Sequence, residues 1–415
     1  MCYCCKDSTK ICKRVNALFL FCAFLIVLLA GCQAETNQSY SYHRPTQTDD
    51  GFIVGSLKES NMDENILASA VVDIQNGKYG EIHALLIYKE DKLVFEEYFP
   101  GHEYLWDDPD FHGGWINWGI GRRHNIHSAG KSITSACIGI ALDQGYIDSV
   151  DQSIFDYLPN HQHLNTGVKG EITIEHLLTM TSGLAWDEWG TSYANENNDV
   201  IALWMDCNDP ITCILEKPLI STPGTSFTYS GGNIIILGEI IKNSTGMDIE
   251  TFSWEYLFEP LGIKTPPWRW IDDTGIVYAG GDQQLTPREM LKFGVTYLDD
   301  GKWNGKQIVS KEWVENSAEP YSGSDNRWFN HPLRPIPPGD GTWGLRGYSY
   351  TWWTHLFFHA GKKIPAFWAF GWGGQKIIVF PDQNAVVVFT GANYTSADHT
   401  AKILVKYVIP SFDLR

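Results

Sequence analysis

Residues 128–142 read Ser-Ala-Gly-Lys-Ser-Ile-Thr-Ser-Ala-Cys-Ile-Gly-Ile-Ala-Leu. Ser128 precedes Lys131 by three positions, and the apolar run 133–142 predicts a helix that begins here. Because residues three apart share one face of a helix, the Lys131 amine is expected to reach the Ser128 hydroxyl. A serine becomes nucleophilic when a base takes its proton, and this amine can do so if burial and the helix N-terminus lower its pKa. The pattern is the S-x-x-K arrangement used for acyl transfer to serine.

The same residues allow two other interpretations to be tested against the sequence. A helix start with an exposed lysine stays open on the tetrapeptide alone. A phosphate-binding loop is excluded, because Gly130-Lys131-Ser132 would need a glycine five residues before Gly130, where the chain has Asn125.

A tyrosine at the start of another apolar helix provides a second proton-handling group. Tyr229-Ser230-Gly231 follows the loop 222–228. A phenol beside a cationic lysine can act as a base or pass a proton to the leaving group. The alternative is a loop tyrosine whose ring packs against the helix.

A glycine-rich stretch near the C-terminus, Gly371-Trp372-Gly373-Gly374-Gln375, is predicted to lie on a strand. Glycines let the backbone approach a substrate closely, so one N–H here, together with that of Ser128, can hold a developing oxyanion. The alternative is a β-bulge or a tight hairpin. The predicted oxyanion and substrate-binding residues are Ser128, Gly231, Gly371, Trp372 and Gly373.

In this order and spacing, the three elements resemble the serine β-lactamase and penicillin-binding superfamily. The nearest branch is the class C-like one, which also holds esterases, D-amino-acid peptidases and nylon-oligomer hydrolases. The resemblance covers about residues 76–412 and includes the stretches 172–184, 222–232, 285–294 and 303–306. It implies that Ser128 is the acylated nucleophile, Lys131 the activating amine and Tyr229 the partner base, with no cofactor.

Two departures from the β-lactamases bear on the substrate. The β-lactamases carry an asparagine two residues after the tyrosine, where this chain has Gly231. They also carry Lys-Thr-Gly or His-Thr-Gly on the late strand, where this chain has Trp368-Ala369-Phe370-Gly371. A β-lactam's carboxylate and amide would lack two usual partners, which favours an esterase, amidase or peptidase for neutral, aromatic substrates.

The expected fold is α/β (α+β) of the β-lactamase/transpeptidase type. Strands are predicted at 83–88, 92–98, 348–353, 367–371, 376–380 and 385–390, and helices at 64–76, 173–180, 233–242, 248–258, 287–299 and 398–409. Because strands at both ends flank a helical middle, the ends are expected to meet in one antiparallel sheet flanked by helices. The predicted hydrolase domain, 76–415, comprises a sheet lobe (76–150 and 340–415) and an inserted helical lobe (151–339). Residues 32–75 are predicted to be a tether and lead-in.

Residues 1–31 are predicted to be an export signal, because four basic residues precede the short apolar run 17–30. The run closes with Leu29-Ala30-Gly31-Cys32, which resembles the bacterial lipobox. In such signals the chain is cut before the cysteine, which is then lipid-modified. This implies a membrane anchor at Cys32, a periplasm-facing position in the bacterial envelope and, since no aspartate follows directly, the outer membrane. An ordinary signal peptide with an incidental cysteine is the alternative.

Charge and cysteine content narrow the function classes. The formal net charge is −18, so no nucleic-acid partner is expected. Cys207 and Cys213 can form a disulfide in an oxidising compartment or remain unlinked. Cys137 is expected to be a small buried apolar residue.

The histidines are interpreted as structural. His127 directly precedes Ser128, and at the start of a helix such a side chain points away from the serine. Packing in the loop is therefore favoured over a Ser–His pair, for His127 and for His124. No metal site is predicted, because no carboxylates stand at metal-ligand spacing from His161, His163 and His176. Two further groups of residues each have two interpretations. One group can line the substrate cleft or form a solvated acidic loop: Trp186, Asp187, Glu188 and Trp189. The other can form an aromatic pocket wall or belong to the core: Trp352, Trp353, Trp368 and Trp372.

The sequence therefore predicts a lipid-anchored serine hydrolase that cleaves an ester or amide bond of a small-molecule or peptide-like substrate through a Ser128 acyl-enzyme. A D-alanyl carboxypeptidase, a β-lactamase and a non-catalytic relative that binds cell-wall fragments or a β-lactam are the alternatives. The combination of Ser128, Lys131 and Tyr229 argues against the last, since a binding module has no need of all three.

Overall fold

A computed structural model of the protein describes residues 40–264, 266–271, 274–321 and 343–412. Residues from Ser41 onward form one compact unit. The predicted signal at 1–31 and the predicted lipid site at Cys32 lie outside the described residues. Across the described ranges, no helix has both the length and the apolar character needed to span a membrane.

The strands lie mainly near the two ends of the chain. In chain order they are β1 Ile82–Lys89, β2 Lys92–Tyr98, β3 Pro100–Tyr104, β4 His112–Asn117, β5 His124–Asn125, β6 Trp270–Ile271, β7 Ile276–Val277, β8 Gln284–Leu285, β9 Lys302–Trp303, β10 Lys306–Gln307, β11 Trp343–Ser349, β12 Trp352–His359, β13 Lys362–Gly371, β14 Gln375–Phe380 and β15 Ala385–Gly391.

Most of the helices lie between these two groups of strands. They are α1 Glu64–Gln75, α2 Lys131–Asp143, α3 Ile174–Leu178, α4 Asp199–Met205, α5 Pro210–Glu216, α6 Gly231–Thr245, α7 Ile249–Ser253, α8 Pro287–Leu298, α9 Lys311–Ala318, α10 Thr400–Ile403 and α11 Ile409–Ser411. Short 3₁₀ segments cover His127–Gly130, Ile154–Tyr157, Pro159–Leu164, Gly167–Glu171 and Pro381–Gln383, and π-helical turns cover Trp254–Phe258 and Leu404–Val408.

Seven strands form one antiparallel sheet in the order β11-β12-β13-β14-β15-β1-β2. The N-terminal strand β1 pairs with the C-terminal strand β15, with Leu85 opposite Phe389. Strands β1, β14 and β15 are buried along their whole length, so both faces of the sheet are covered there. The prediction that the chain ends meet in one antiparallel sheet is confirmed.

Helix α8 covers β1, β14 and β15, although its residues fall in the predicted helical lobe. Gly294 permits this approach, because a Cβ there would lie 2.6 Å from Val386 and 2.7 Å from Ile377. Its start is fixed by a capping box in which Thr286 and Glu289 satisfy each other's backbone N–H groups.

Two helices that pack against each other position the residues around Ser128. Helix α2 is buried from Lys131 to Ala141 and packs on α6, while the 3₁₀ turn before it lies against β13. The Ser230 hydroxyl caps α6 by accepting a hydrogen bond from the Asn233 N–H. Tyr229 is therefore held one residue before that cap.

Two predicted boundaries differ from the structure. The predicted strand 348–353 is split, because Tyr350 and Thr351 have φ angles of 42° and 72° and turn the chain from β11 into β12. The predicted tether belongs, from Ser41 onward, to the folded unit. Its backbone pairs with β2 through hydrogen bonds between Gly55 N and Leu93 O and between Leu93 N and Ile53 O, both 2.9 Å.

The cysteines of the described region are of two kinds. A disulfide joins Cys207 and Cys213, whose Cα atoms are 6.5 Å apart, between α4 and α5. Cys137 is free and buried on α2, where it packs as a small apolar side chain.

Candidate active site

Ser128 lies on the 3₁₀ turn His127–Gly130, and α2 begins directly after it at Lys131. The Lys131 side chain is 1% exposed, and its Nζ donates hydrogen bonds to Ser128 Oγ at 2.9 Å and to the Gly280 carbonyl at 2.8 Å. The structure thus contains the serine–lysine contact, on a tighter turn than the predicted α-helix. In a 3₁₀ turn, residues three apart stand directly in line, which brings the amine to the hydroxyl.

Tyr229 approaches this pair from the start of α6. Its hydroxyl interacts with both Ser128 and Lys131, and the Lys131 Nζ lies 5.1 Å from the ring centroid. The ring stacks on Trp189 at 4.4 Å and on Trp353 at 5.9 Å between centroids. The structure therefore brings Ser128, Lys131 and Tyr229 together, and contacts with two tryptophans hold the phenol ring.

The protonation states around the serine differ from the sequence-based expectation. Burial alone would lower the pKa of Lys131, but Tyr229 and Glu188 outweigh burial and raise it. Burial likewise raises the pKa of Tyr229, against the opposing effect of Lys131. The lowered Lys131 pKa that would let the free amine act as the base is therefore not found. At neutral pH the site holds an ammonium and a neutral phenol, so activation of the serine requires a further proton acceptor.

Glu188 is a buried carboxylate, and its Oε1 lies 3.7 Å from the Lys131 Nζ. Its Oε2 accepts hydrogen bonds from Trp186 Nε1 (2.9 Å) and the Gly231 N–H (2.5 Å), and its Oε1 accepts one from the Tyr193 hydroxyl (3.1 Å). The alternative prediction of a solvated acidic loop fits the neighbouring residue Asp187, which is exposed. It does not fit Glu188, which is buried.

A cavity of about 130 Å³ opens beside Ser128 and Glu188. Six of its fifteen lining residues are tyrosine or tryptophan, namely Tyr104, Trp106, Tyr193, Trp204, Tyr278 and Trp372. The wall also carries charged groups, Asp282 and Arg269. Such a cavity suits a largely apolar group with few polar contacts.

His127, Asp282 and Arg269 form a row of polar side chains along this cavity. The His127 Nδ1 lies 3.0 Å from Asp282 Oδ1, and Arg269 Nη1 lies 3.7 Å from Asp282 Oδ2. Burial would raise the pKa of Asp282, but His127 and Arg269 lower it, so the carboxylate is charged at neutral pH. His127 thus packs in the loop, as expected, and also lines the cavity, which was not expected.

Asp282 and Arg269 were not found by sequence reasoning. The signal for Asp282 is the pair of glycines before it, since a Cβ at Gly281 would lie 2.4 Å from the His127 carbonyl. That contact shows the 280–282 backbone passing directly beside the nucleophile. No comparable signal marks Arg269, whose guanidinium lies 4.2 Å from the Trp204 ring centroid.

The predicted oxyanion residues separate into two groups. Gly371 ends β13 beside the backbone leading to Ser128, since a Cβ there would lie 2.0 Å from the Ile126 carbonyl. Trp372 lines the cavity, and Gly373, with φ of 81°, turns the chain toward β14 in a tight hairpin. Gly231 is a correction: its N–H is already donated to Glu188, so it is not an oxyanion donor.

The four late tryptophans have different surroundings. Trp352 belongs to the core and is fully buried, Trp353 stacks on Tyr229, Trp368 is buried in the sheet, and Trp372 lines the cavity. His124 is buried and stacks on Trp118 at 3.8 Å between ring centroids.

Two histidine clusters lie away from Ser128. His161 does have a carboxylate partner, Asp209, at 2.9 Å, contrary to expectation. Ligand atoms of Glu81, His102 and His112 lie within 4.8 Å of one another and are of the types that can hold a metal ion. Burial would raise the pKa of Glu81, but hydrogen bonds from His83 and His102 lower it to about 2. This carboxylate–histidine contact ties the β3–β4 hairpin to β1.

Comparison with known proteins agrees with this geometry. The family model described as "Beta-lactamase" matches residues 83–405. The chain therefore belongs to the β-lactamase family. The family resemblance and the fold class predicted from the sequence are confirmed.

Individual relatives are distant. An uncharacterised protein of Alkalihalophilus pseudofirmus is 24% identical over 55% of this chain and 62% of its own length. A Penicillium citrinum ML-236A carboxylate methylbutanoyltransferase is 30% identical over 33% of this chain and 35% of its own length. A structure described as a candidate 6-aminohexanoate-dimer hydrolase from Bacillus anthracis has a TM-score of 0.61 and 21% identity over 90% of this chain and 87% of that one. The chain thus spans less than two thirds of these two sequence relatives, and the structural neighbour shares the fold.

Proposed function

We propose that this protein is a serine hydrolase that cleaves an ester or amide bond through an acyl-enzyme on Ser128. The observation that carries the proposal is the 2.9 Å contact between the buried Lys131 amine and Ser128 Oγ at the cavity. Ser128 attacks the substrate carbonyl as its proton passes to the Lys131 nitrogen, which releases one of its own protons to a further acceptor. Tyr229 returns a proton to the leaving group. N–H groups of Ser128 and of the 371–372 backbone stabilise the oxyanion, and water then releases the acid.

The cavity supports a neutral, aromatic or branched acyl group as the substrate. Its wall carries six tyrosine and tryptophan side chains together with Val200, Ile201 and Met205, and Gly231 offers no side chain to an amide. Two relatives are named for related chemistry, since one transfers a methylbutanoyl group and the other is described as acting on a 6-aminohexanoate dimer. A β-lactam would lack both the late-strand cation and the asparagine amide.

A substrate panel tests this proposal. Purified protein is assayed on nitrophenyl esters, the matching anilides, a chromogenic β-lactam and a D-alanyl-D-alanine peptide, with Ser128→Ala as the blank. We expect kcat/KM for an aromatic ester to exceed that for the β-lactam at least about 10²-fold, a difference of roughly 3 kcal/mol in transition-state stabilisation. Faster β-lactam hydrolysis or D-alanine release would contradict the substrate assignment.

We further propose that the protein is anchored to the bacterial envelope, facing the periplasm, by a lipid on Cys32. The support is the sequence Leu29-Ala30-Gly31-Cys32 after a short apolar run. Cys32→Ala is expected to move the protein from the membrane fraction to the soluble fraction of cells. The proposal is contradicted if Cys32→Ala stays in the membrane fraction and mass spectrometry finds no lipid on the wild-type protein.

A further inference from the structure

The space beside Gly231 is filled by a carboxylate from a different segment. A Cβ at Gly231 would lie 2.9 Å from Glu188 Oε2, and the Gly231 N–H donates to the same oxygen at 2.5 Å. This is the position two residues after Tyr229 at which the β-lactamases carry a neutral asparagine. In this chain the absence of a side chain lets an anion reach within 3.7 Å of the Lys131 Nζ.

We propose that Glu188 is the proton acceptor of the site, taking a proton from the Lys131 ammonium while the Lys131 Nζ takes the proton of Ser128. This inference rests on the proposed acyl-enzyme function. The Ser128 O–H bond breaks as a new N–H bond forms, and one existing N–H bond of Lys131 breaks as the O–H bond of Glu188 forms. The freed Ser128 electron pair bonds to the substrate carbonyl carbon, whose π pair moves to oxygen. The protons and charges balance without another reactant.

The groups that face Glu188 leave Lys131 as its proton donor. The ammonium comes from α2, and phenols surround the carboxylate from other segments, namely Tyr193, Tyr229, Tyr278 and Tyr348. Burial raises the pKa of each of these phenols, so they keep their protons at neutral pH. Asp282 adds a second negative charge that acts on Lys131.

The geometry allows a short transfer. Glu188 is fixed by hydrogen bonds from Trp186, Gly231 and Tyr193, so the carboxylate does not have to reorganise. The distance of 3.7 Å between Oε1 and Nζ is about 1 Å longer than a charge-assisted hydrogen bond. Closing that gap takes a movement of about 1 Å of the Lys131 Nζ, which in this structure also donates to the Gly280 carbonyl.

The pH dependence of Glu188→Gln tests the inference. In the wild type the proton acceptor is the carboxylate, whereas in the variant Lys131 must itself lose a proton to bulk water. The acidic limb of kcat/KM is therefore expected to move to higher pH by at least about one unit, with partial recovery of activity in alkali. At pH 7 the expected loss is about 10²-fold. A merely structural role would lower activity equally at every pH.

A shift of the acidic limb of kcat/KM to lower pH in Glu188→Gln would overturn the inference. If a Tyr229 phenolate is the base, removing the Glu188 charge lowers the Tyr229 pKa, and the acidic limb moves to lower pH. An unmoved limb would also overturn it. Glu188→Asp keeps the negative charge and should show the wild-type acidic limb at a reduced rate. Asp187→Asn removes the exposed neighbouring carboxylate and should keep both the wild-type acidic limb and the wild-type rate.

A wild-type measurement keeps the inference testable if Glu188→Gln does not fold. Two protons in transfer predict a curved dependence of the acylation rate on the deuterium fraction of the solvent, and a linear dependence would contradict the relay. If Ser128 is acylated but the acidic limb of Glu188→Gln does not move, or the dependence on deuterium fraction is linear, only the role of Glu188 is rejected. Absence of acylation on Ser128 rejects the proposed function itself.

Discussion

Replacing Lys131 by methionine is expected to lower kcat/KM for a nitrophenyl ester by about 10³-fold or more. Methionine fills much of the same buried volume but cannot take the Ser128 proton. The lost group is the amine that contacts Ser128 Oγ at 2.9 Å. The measurement is steady-state hydrolysis by purified wild type and variant at several pH values, and no pH should restore the rate.

Stability provides the control for this variant. Lys131→Met leaves Glu188 buried without its cation, which costs about 3 kcal/mol or more when one partner of a buried pair is removed. The double variant Lys131→Met/Glu188→Gln removes both charges and should regain most of that stability in denaturant unfolding, while remaining inactive. Activity in the folded double variant within about tenfold of wild type would show that the amine is not needed.

Tyr229→Phe is expected to lower kcat about 10²-fold or more, with little change in stability. The phenol hydroxyl that interacts with Ser128 and Lys131 is lost, whereas the ring keeps its stacking on Trp189 and Trp353. The loss should be larger for an anilide than for a nitrophenyl ester, because an amine leaving group needs a proton and nitrophenolate does not. Parallel assays of the two substrates measure this difference.

Thermal unfolding of Tyr229→Phe separates a chemical effect from a structural one. An unfolding temperature within a few degrees of wild type, together with the larger loss on the anilide, supports proton return by the phenol. Equal losses on both substrates would contradict that role.

The serine, the lysine and the sheet could be predicted because local sequence patterns encode them. The spacing from Ser128 to Lys131 is short, so one turn brings them together. The apolar runs at 83–88 and 385–390 are long enough to identify strands, and they pair as β1 and β15. Tyr229 was found because it stands between the loop 222–228 and an apolar run, which forms α6 in the structure.

What the sequence could not predict depends on contacts between distant segments. The sign of the Lys131 pKa shift depends on Tyr229 and Glu188. Glu188 lies 57 positions from Lys131 and looks like its exposed neighbour Asp187 in the sequence. The turn at Tyr350 and Thr351 is formed by two residues with positive φ that carry no glycine or asparagine signal. The pairing of Gly55 with Leu93 could not be predicted, because residues 53–55 lack a strand pattern.

Covalent labelling of Ser128 tests the central claim most directly. The folded protein is treated with a fluorophosphonate, digested, and the peptide containing Ser128 is examined by mass spectrometry. We expect one adduct, on Ser128, formed in the wild type and absent in Ser128→Ala. An unlabelled Ser128 in folded, wild-type protein, or equal labelling of both proteins, would contradict the account.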